Sequence, residues 1–288
     1  MSGEVKSLIN NPVQVLDANI ETEVNRANMN IVRLILMGIL AGMFIGGGAA
    51  ASSVAMHAIS NVGISRFIGG AIFPVGLMMI VFIGGELFTG DCLLILGVMD
   101  KKVKVLSMIR VLLIVFFSNM IGAMLVALLV FFGGQYNFTD GLLGAFTIKV
   151  ALGKSTISFG TALCSGIMCN IFVCGAVLMA ATAKDAGGKV WAIFFPILAF
   201  VVSGFEHCVA NMYYIPAGII AKSNEKYVQV AMDKYGITAE QLSELSWKNF
   251  FVDSSIPVTL GNIIGGMMLG VVLYLIYKKL PVNRKKAS

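Results

Sequence analysis

Long runs of apolar residues, separated by short segments that carry most of the charges, dominate this chain. Six of the runs are long enough to cross a bilayer, whose hydrocarbon core needs about 20 helical residues. They cover roughly residues 34–56, 68–99, 111–134, 156–183, 190–221 and 256–277. The pattern therefore predicts an all-α polytopic membrane protein with six transmembrane helices.

The second half of the chain repeats the order of the first. Span one contains "MGILAGMFIGG" and span four "SGIMCNIFVCG", while span three contains "SNMIGAML" and span six "GNIIGGMM". Spans two and five each contain a Phe-Pro pair and then reach a glutamate. These matches indicate two homologous halves, about 34–134 and 156–277. Because each half has an odd number of spans, the second enters the membrane from the opposite side, which predicts an inverted repeat with a pathway at its interface.

Spans two and five are predicted to be broken helices. A continuous helix over either run would be roughly 48 Å long, against a hydrocarbon core of about 30 Å. Each run is interrupted near its middle, by "GGELFTGD" (84–91) and by "SGFEHC" (203–208). Irregular backbone at membrane depth is tolerated only inside protein or along a cavity. A tilted helix with a snorkelling glutamate is the alternative, but matched breaks in both halves favour a shared pathway.

Composition narrows the functional classes. With 58% hydrophobic and 12% charged residues, the chain is too apolar for an ordinary soluble domain. Its net charge of +6 comes from blocks that flank the apolar runs, which is typical of membrane orientation and not of nucleic-acid binding. Two histidines are too few for a haem-carrying membrane enzyme, and the five cysteines suit packing better than a metal site. We expect no enzymatic activity, cofactor or metal.

Basic residues in the short connections set the predicted orientation. They cluster before span one and after spans two, four and six, so both termini are expected to be cytoplasmic in a multi-pass protein of the cell membrane. The chain then divides into an N-terminal segment (1–33), a six-span membrane domain (34–277) and a basic tail (278–288). Apolar residues at helical spacing in the first segment indicate an amphipathic helix or a simple lead-in to span one. A capping-box pattern from Thr238 to Gln241 predicts a short helix.

Ionisable residues inside a membrane are rare and functional by default. The two breaks hold polar and ionisable groups: Glu86, Thr89 and Asp91 in the first, and Glu206, His207 and, one turn later, Asn211 in the second. A histidine can donate a proton near neutral pH, and a threonine hydroxyl can hold one tautomer. The alternative is a structural, hydrogen-bonded His207. Lys154, at the outer end of span four, is either a snorkelling anchor or a cation that draws anions inward.

Three motifs, "GELFTGD" (85–91), "GFEHCVANMYYIP" (204–216) and "IPVTLGNIIGG" (256–266), resemble the signatures of the formate–nitrite transporter family. The resemblance covers nearly the whole chain. It implies an aquaporin-like six-span inverted repeat, assembled as a homopentamer with one pore per protomer. It also implies conduction of small monovalent anions such as formate, nitrite or hydrosulfide. The Gly90-Asp91 pair departs from the small hydroxylated residues of some formate channels.

The resemblance also assigns site residues. It implies a central pore around His207, with Thr89 in the mobile loop of span two and Lys154 in the outer vestibule. Further polar residues around this pore are Glu206, Asn211, Asn170 and Asn262. Apolar constrictions on either side of the histidine are Phe73, Leu77, Leu87 and Phe200.

Two mechanisms follow as hypotheses. An apolar ring passes a desolvated charge only at high cost, so a weak acid crosses most easily if it is neutralised by a proton from solvent or from His207. The rival is an anion channel in which a charged His207 holds the anion and the loop gates. The expected partners are the anion, protons, the lipid bilayer and further copies of the chain, not nucleic acid. A non-transporting scaffold or sensor and a neutral-solute channel are the alternative functions.

Overall fold

A computed structural model describes Ser7 and residues 9–280 of the chain, and this part is almost entirely helical. Its α-helices are α1 (Pro12–Ala27), α2 (Ile31–Met56), α3 (Val62–Ile72), α4 (Val75–Ile83), α5 (Phe88–Asp91), α6 (Leu94–Met99), α7 (Val105–Phe132), α8 (Leu142–Ser155), α9 (Phe159–Thr182), α10 (Ala186–Ser203), α11 (Cys208–Ala221), α12 (Glu225–Tyr235), α13 (Ala239–Glu244), α14 (Trp247–Asn249) and α15 (Ile256–Tyr274). A short 3₁₀ turn (Gln135–Asn137) and two π-helical stretches (Phe250–Ser255 and Leu275–Lys279) complete the list.

Six helical segments of the described chain are long and apolar enough to cross a membrane. They are Ile31–Met56, Val62–Ile83, Val105–Phe132, Phe159–Thr182, Ala186–Ser203 and Trp247–Lys279. Two shorter apolar helical segments, Phe88–Met99 and Cys208–Ala221, complete spans two and five beyond their breaks. The predicted six-span all-helical fold is confirmed. With six crossings, both ends of the membrane domain lie on one side, which we call the N-terminal side; the other is the far side.

Each half of the fold contains a closely packed pair of spans, α2 with α7 and α9 with α15. Glycine makes the close approach possible in both pairs. A Cβ atom on Gly122 would lie 2.0 Å from the carbonyl oxygen of Ile39, and one on Gly265 would lie 2.2 Å from that of Ile167. Matching contacts on the two sides of the repeat show that the halves share one packing scheme.

The N-terminal segment forms a helix that packs on the membrane domain. Asn11 caps α1 with a capping box, and the side chains of Leu16 and Ile20 are buried. Before the helix, the amide of Asn10 donates to the carbonyl of Thr182, at the end of α9. The amphipathic pattern thus serves tertiary packing against the protein. The basic tail predicted at 278–288 lies mostly outside the described residues.

The connections on the far side are more ordered than the sequence predicts. α8 lies between spans three and four, where the hydrophobic pattern predicts only a charged link, and α12 adds a second helix beside it. The predicted helix after Thr238 is present as α13, with the capping box to Gln241 formed. α8 was missed because its 14 residues, two of them lysines, are too few to read as a membrane span.

Candidate functional site

The two helix breaks have the same length, and each opens at a glycine with positive φ. α4 ends before Gly84, at φ +106°, and α10 ends before Gly204, at φ +73°, in conformations that favour glycine. The chain then runs extended, with φ −111° and ψ 119° at Leu87 and φ −113° and ψ 116° at His207. Each of these two residues is the N-cap of the helix that follows. Leu87 and His207 are therefore equivalent positions in the repeat.

Asn119, in span three, bridges the first break. Its Oδ1 accepts a hydrogen bond from the amide of Phe88 at 2.9 Å. Its Nδ2 donates to the carbonyls of Gly38 at 2.7 Å and Glu86 at 2.9 Å. Two of its three hydrogen bonds go to backbone groups of the break, and the third ties the break to Gly38 in α2.

Asn262, in span six, bridges the second break in the same way. Its Oδ1 accepts from the amide of Cys208 at 2.9 Å, and its Nδ2 donates to the carbonyls of Gly166 at 2.8 Å and Glu206 at 3.0 Å. The two sets of bonds correspond residue by residue. Asn119 was missed as a site residue, although the repeat already aligned "SNMIGAML" with "GNIIGGMM".

The two breaks meet at Thr89 and His207. Thr89 Oγ1 lies 3.0 Å from Nε2 of His207, and both side chains are buried. On the other edge of the ring, Nδ1 accepts a hydrogen bond from the amide of Ala210 at 3.0 Å. An acceptor role for Nδ1 assigns the hydrogen of a neutral ring to Nε2, facing Thr89. The predicted association of these two residues is present.

Span four closes the other side of this contact. Asn170 Nδ2 donates to the carbonyls of Thr89 at 3.1 Å and Asn262 at 2.6 Å. The thiol of Cys174, one turn later, also contacts the carbonyl oxygen of Thr89, at 3.3 Å. Asn170 and Asn262 thus lie beside the Thr89–His207 contact, as predicted, but here they bind backbone and not the imidazole.

A second polar group lies on the far side of His207. Lys154 Nζ contacts both carboxylate oxygens of Glu206, at 2.9 and 3.0 Å. Asn211 Nδ2 donates to Glu206 Oε2 at 2.7 Å and to the hydroxyl of Ser254 at 3.1 Å. Glu206 therefore has one cation and one amide donor. The sequence placed Lys154 at the end of span four; this placement was wrong, because Lys154 lies in the last turn of α8.

A cavity of about 590 Å³ opens on the far side and reaches His207. Its wall carries four cationic side chains: Arg66, Lys149, Lys154 and Lys234. Near its inner end, the rings of Phe73 and Phe200 meet edge to face at 5.7 Å, and Phe200 stacks on His207 with centroids 6.0 Å apart.

The other predicted site residues lie behind this wall. Thr89, Asn170, Asn211 and Asn262 do not line the cavity in the described part of the chain, and neither do Leu77 and Leu87. The two leucines are buried. The cavity thus ends at His207.

A cluster of buried charges lies on the N-terminal side. Arg26 of α1 donates through Nη1 to both oxygens of Glu23, at 2.6 Å each, and through Nε to Glu86 Oε2. The same Nε lies 3.2 Å from Asp91 Oδ1. Burial raises the pKa of Glu23 above its ordinary value, while the neighbouring Arg26 opposes that shift. The roles of Glu23 and Arg26 could not be read from the sequence, because only the docking of α1 brings them to the break.

Comparison with known proteins connects these features to a family. The family model described as formate/nitrite transporter matches residues 13–276. A probable formate transporter of Methanothermobacter thermautotrophicus is 35% identical over 260 residues, which cover 84% of this chain and 87% of that protein. The formate channel FocA of Escherichia coli (strain K12) is 33% identical, with 89% and 90% covered.

Comparison with solved structures leads to the same family. A structure described as a pentameric formate channel with formate bound matches at a TM-score of 0.76 and 32% identity, covering 86% of this chain and 97% of that one. A second, described as an FNT family ion channel, matches at a TM-score of 0.76 and 25% identity, covering 91% and 98%. The motifs, the fold and these matches converge on one conclusion: the chain belongs to the formate/nitrite transporter family.

Proposed function

We propose that this chain conducts small monovalent anions of weak acids, such as formate, nitrite or hydrosulfide, through one pore in each protomer. The observation that carries the proposal is the position of His207, where the far-side cavity ends. The formate channels among its relatives support an anion as substrate. His207 and Thr89 form the polar centre of the pathway, at the point where the two halves of the repeat meet.

The cavity gathers anions before they reach the centre. Lys154 and three further cations on the wall outnumber its single carboxylate, that of Glu206. A concave wall of one charge sign raises the local concentration of the opposite ion. Because Glu206 offsets the charge of Lys154, the attraction is moderate and an anion can leave as well as enter.

The aromatic pair of Phe73 and Phe200 then disfavours the passage of a desolvated anion. Phe73 and Phe200 form the apolar wall before His207, and Leu77 and Leu87 are the further apolar residues that we assign to the constrictions. A desolvated anion in such surroundings is strongly disfavoured, whereas the neutral acid is not. The anion therefore takes up one proton, crosses as the neutral acid and releases the proton on the other side.

The hydrogen bonds of His207 favour this route over a permanently charged histidine. A cationic ring would carry a hydrogen on Nδ1, where the amide of Ala210 already donates. A neutral ring keeps its hydrogen on Nε2 and offers it to Thr89 or to a substrate oxygen. The amides of Asn170, Asn211 and Asn262 hold the backbone and Glu206 around this centre, so their role in the pathway is to position it.

We further propose the cellular arrangement. The bias of basic residues supports cytoplasmic termini, and in that orientation the far-side cavity opens to the outside of the cell membrane. The pentameric relative supports a homopentamer. In this arrangement residues 1–33 form a cytoplasmic segment, 34–277 form the channel domain and 278–288 form a basic cytoplasmic tail.

Reconstitution tests the proposal against its alternatives. Purified protein in liposomes should accelerate uptake of formate, nitrite and hydrosulfide over empty liposomes, with sulfate excluded as a divalent control. A scaffold or sensor gives no acceleration with any solute. Acceleration of glycerol but not of formate indicates a neutral-solute channel. Comparing the three anions in one assay also ranks them as substrates.

A further inference from the structure

The charge cluster on the N-terminal side contains more carboxylates than its cation can satisfy. Arg26 is the one guanidinium in contact with Glu23, Glu86 and Asp91 among the described residues. Glu23 occupies Nη1, while Glu86 and Asp91 both approach Nε. That nitrogen carries a single hydrogen. Two carboxylates therefore compete for one donor, and both are buried.

The other carboxyl oxygen of Asp91 has no partner in the described chain. Asp91 is 1% exposed, and its Oδ2 is buried without a hydrogen bond. A buried carboxylate oxygen without a donor is strongly disfavoured. A protonated carboxyl group removes the difficulty, because its hydroxyl becomes a donor.

The inverted repeat identifies the acceptor. Since the backbone bonds of Asn119 and Asn262 align Glu86 with Glu206, Asp91 stands where Asn211 stands in the second half. Asn211 donates to Glu206 at 2.7 Å. Asp91 can make the equivalent bond to Glu86 only when it carries a proton.

Among the described residues, Arg26 is the one cation that forms an ion pair with Glu86 or Asp91. On α7, Arg110 donates through Nη2 to a backbone carbonyl of α1 at 2.8 Å. In the turn after α6, Lys102 is held by Asp100 at 2.8 Å. No Asp, Glu, Lys, Arg or His occurs within the stated ranges of α6, α9, α11 and α15. The titratable side chains of α9 are all cysteine thiols. With every carboxyl group ionised, the cluster of three carboxylates and Arg26 would bear a net negative charge.

We infer that Glu86 and Asp91 share one proton and form a proton-binding site on the N-terminal side of the first helix break. The shared proton supplies the hydrogen-bond donor that the second carboxyl group lacks. The far-side counterpart, Glu206 with Lys154 and Asn211, has a fixed amide in place of the titrating carboxyl. The two helix breaks therefore differ at this position: the first has Asp91, which can bind and release a proton, and the second has Asn211, which cannot.

The site has a consequence that rests on the proposed function. When the proton leaves at high pH on the N-terminal side, a second negative charge appears beside the break that carries Thr89. That charge opposes an approaching anion, so anion entry from the N-terminal side slows. Coulomb repulsion from one uncompensated charge makes a roughly tenfold decrease in flux a reasonable expectation.

Infrared difference spectroscopy of the full chain in lipid vesicles tests the site directly. A pH change should give a C=O band of a protonated carboxyl group that is lost in D91N. The matched control is D100N, which removes a carboxylate on the same side that already has Lys102 as its partner, and which should keep the band. D91N should fold as well as the wild type, because its amide donates to Glu86 as Asn211 does to Glu206.

The outcomes separate the site from its transport role. Loss of the band in D91N but not in D100N, with flux from the N-terminal side that falls less steeply at high pH than in the wild type, supports both. A band that persists in D91N, or a D91N protein that does not fold, overturns the shared proton. If the band behaves as expected but no form of the protein transports formate, the proton site stands and the proposed function fails.

Discussion

Asn119 and Asn262 occupy equivalent positions in the two halves of the repeat, and each amide bonds the backbone on both sides of the N-cap residue that ends a helix break. The breaks expose amides and carbonyls at membrane depth, where water is scarce. One asparagine per half satisfies them and ties the break to span one or span four through Gly38 or Gly166. The inverted repeat is thus a repeat of hydrogen bonds as well as of helices.

Removing either amide should destabilise the fold. Asn119→Leu and Asn262→Leu each lose three buried hydrogen bonds and leave backbone groups without partners, which costs about 1–3 kcal/mol for each group. We expect each variant to lower the free energy of unfolding by at least ~2 kcal/mol, measured by denaturant unfolding in micelles. Asn25→Leu, on the exposed face of α1, is the control. Equal stability of Asn262→Leu and wild type would contradict the bridging role.

Glycines at matched positions should respond in matched ways. Gly122→Ala and Gly265→Ala place a methyl group against a carbonyl oxygen of the facing helix, and overpacking of this kind costs about 1–3 kcal/mol or more. Gly47→Ala and Gly175→Ala meet nothing within 4 Å and serve as controls. Thermal unfolding should show large losses for the first pair and none for the second. A tolerated Gly265→Ala would mean that spans four and six are not so closely packed.

The Lys154–Glu206 pair should show strong coupling. Lys154→Met leaves the buried Glu206 carboxylate without its cation, which costs about 3–5 kcal/mol. The double variant Lys154→Met/Glu206→Gln should recover most of the stability but not the rate of anion uptake, because the cation at the cavity wall is still missing. Thermal unfolding and formate uptake should be measured for the wild type, both single variants and the double variant, which together form a double-mutant cycle. A double variant no more stable than Lys154→Met would argue against the coupling.

Thr89 should matter through its hydroxyl group. Thr89→Val keeps the shape of the side chain but removes the partner of His207 Nε2, a hydrogen bond worth about 1 kcal/mol. We expect formate uptake to fall roughly fivefold in Thr89→Val and to be retained in Thr89→Ser. Uptake by Thr89→Val at the wild-type rate would remove Thr89 from the centre of the pathway.

The sequence predicted the elements whose signal is local. Span number, both helix breaks and the repeat follow from runs of apolar residues and their interruptions, and the structure has all of them. The helix α8 was missed because its two lysines interrupt the apolar run, although the helix is partly buried in the fold. Lys154 was consequently assigned to the wrong helix.

Long-range contacts explain what else was missed. Arg26 reads as one of several basic residues before span one, and only the docking of α1 places it against Glu86. Asn119 lies in an apolar span without any neighbouring polar residue except Ser118, and its function is defined by backbone groups of Phe88 and Glu86. His207, in contrast, was identifiable because the break and the ionisable residue coincide in the sequence.

In the proposed function, a weak acid crosses at His207 together with one proton. The most direct test is formate uptake into liposomes that contain the protein and an internal pH dye, with membrane potential recorded in parallel. Transport of the neutral acid should acidify the interior with one proton per formate and move no net charge. Movement of charge with formate, without acidification, would contradict it and establish an anion channel.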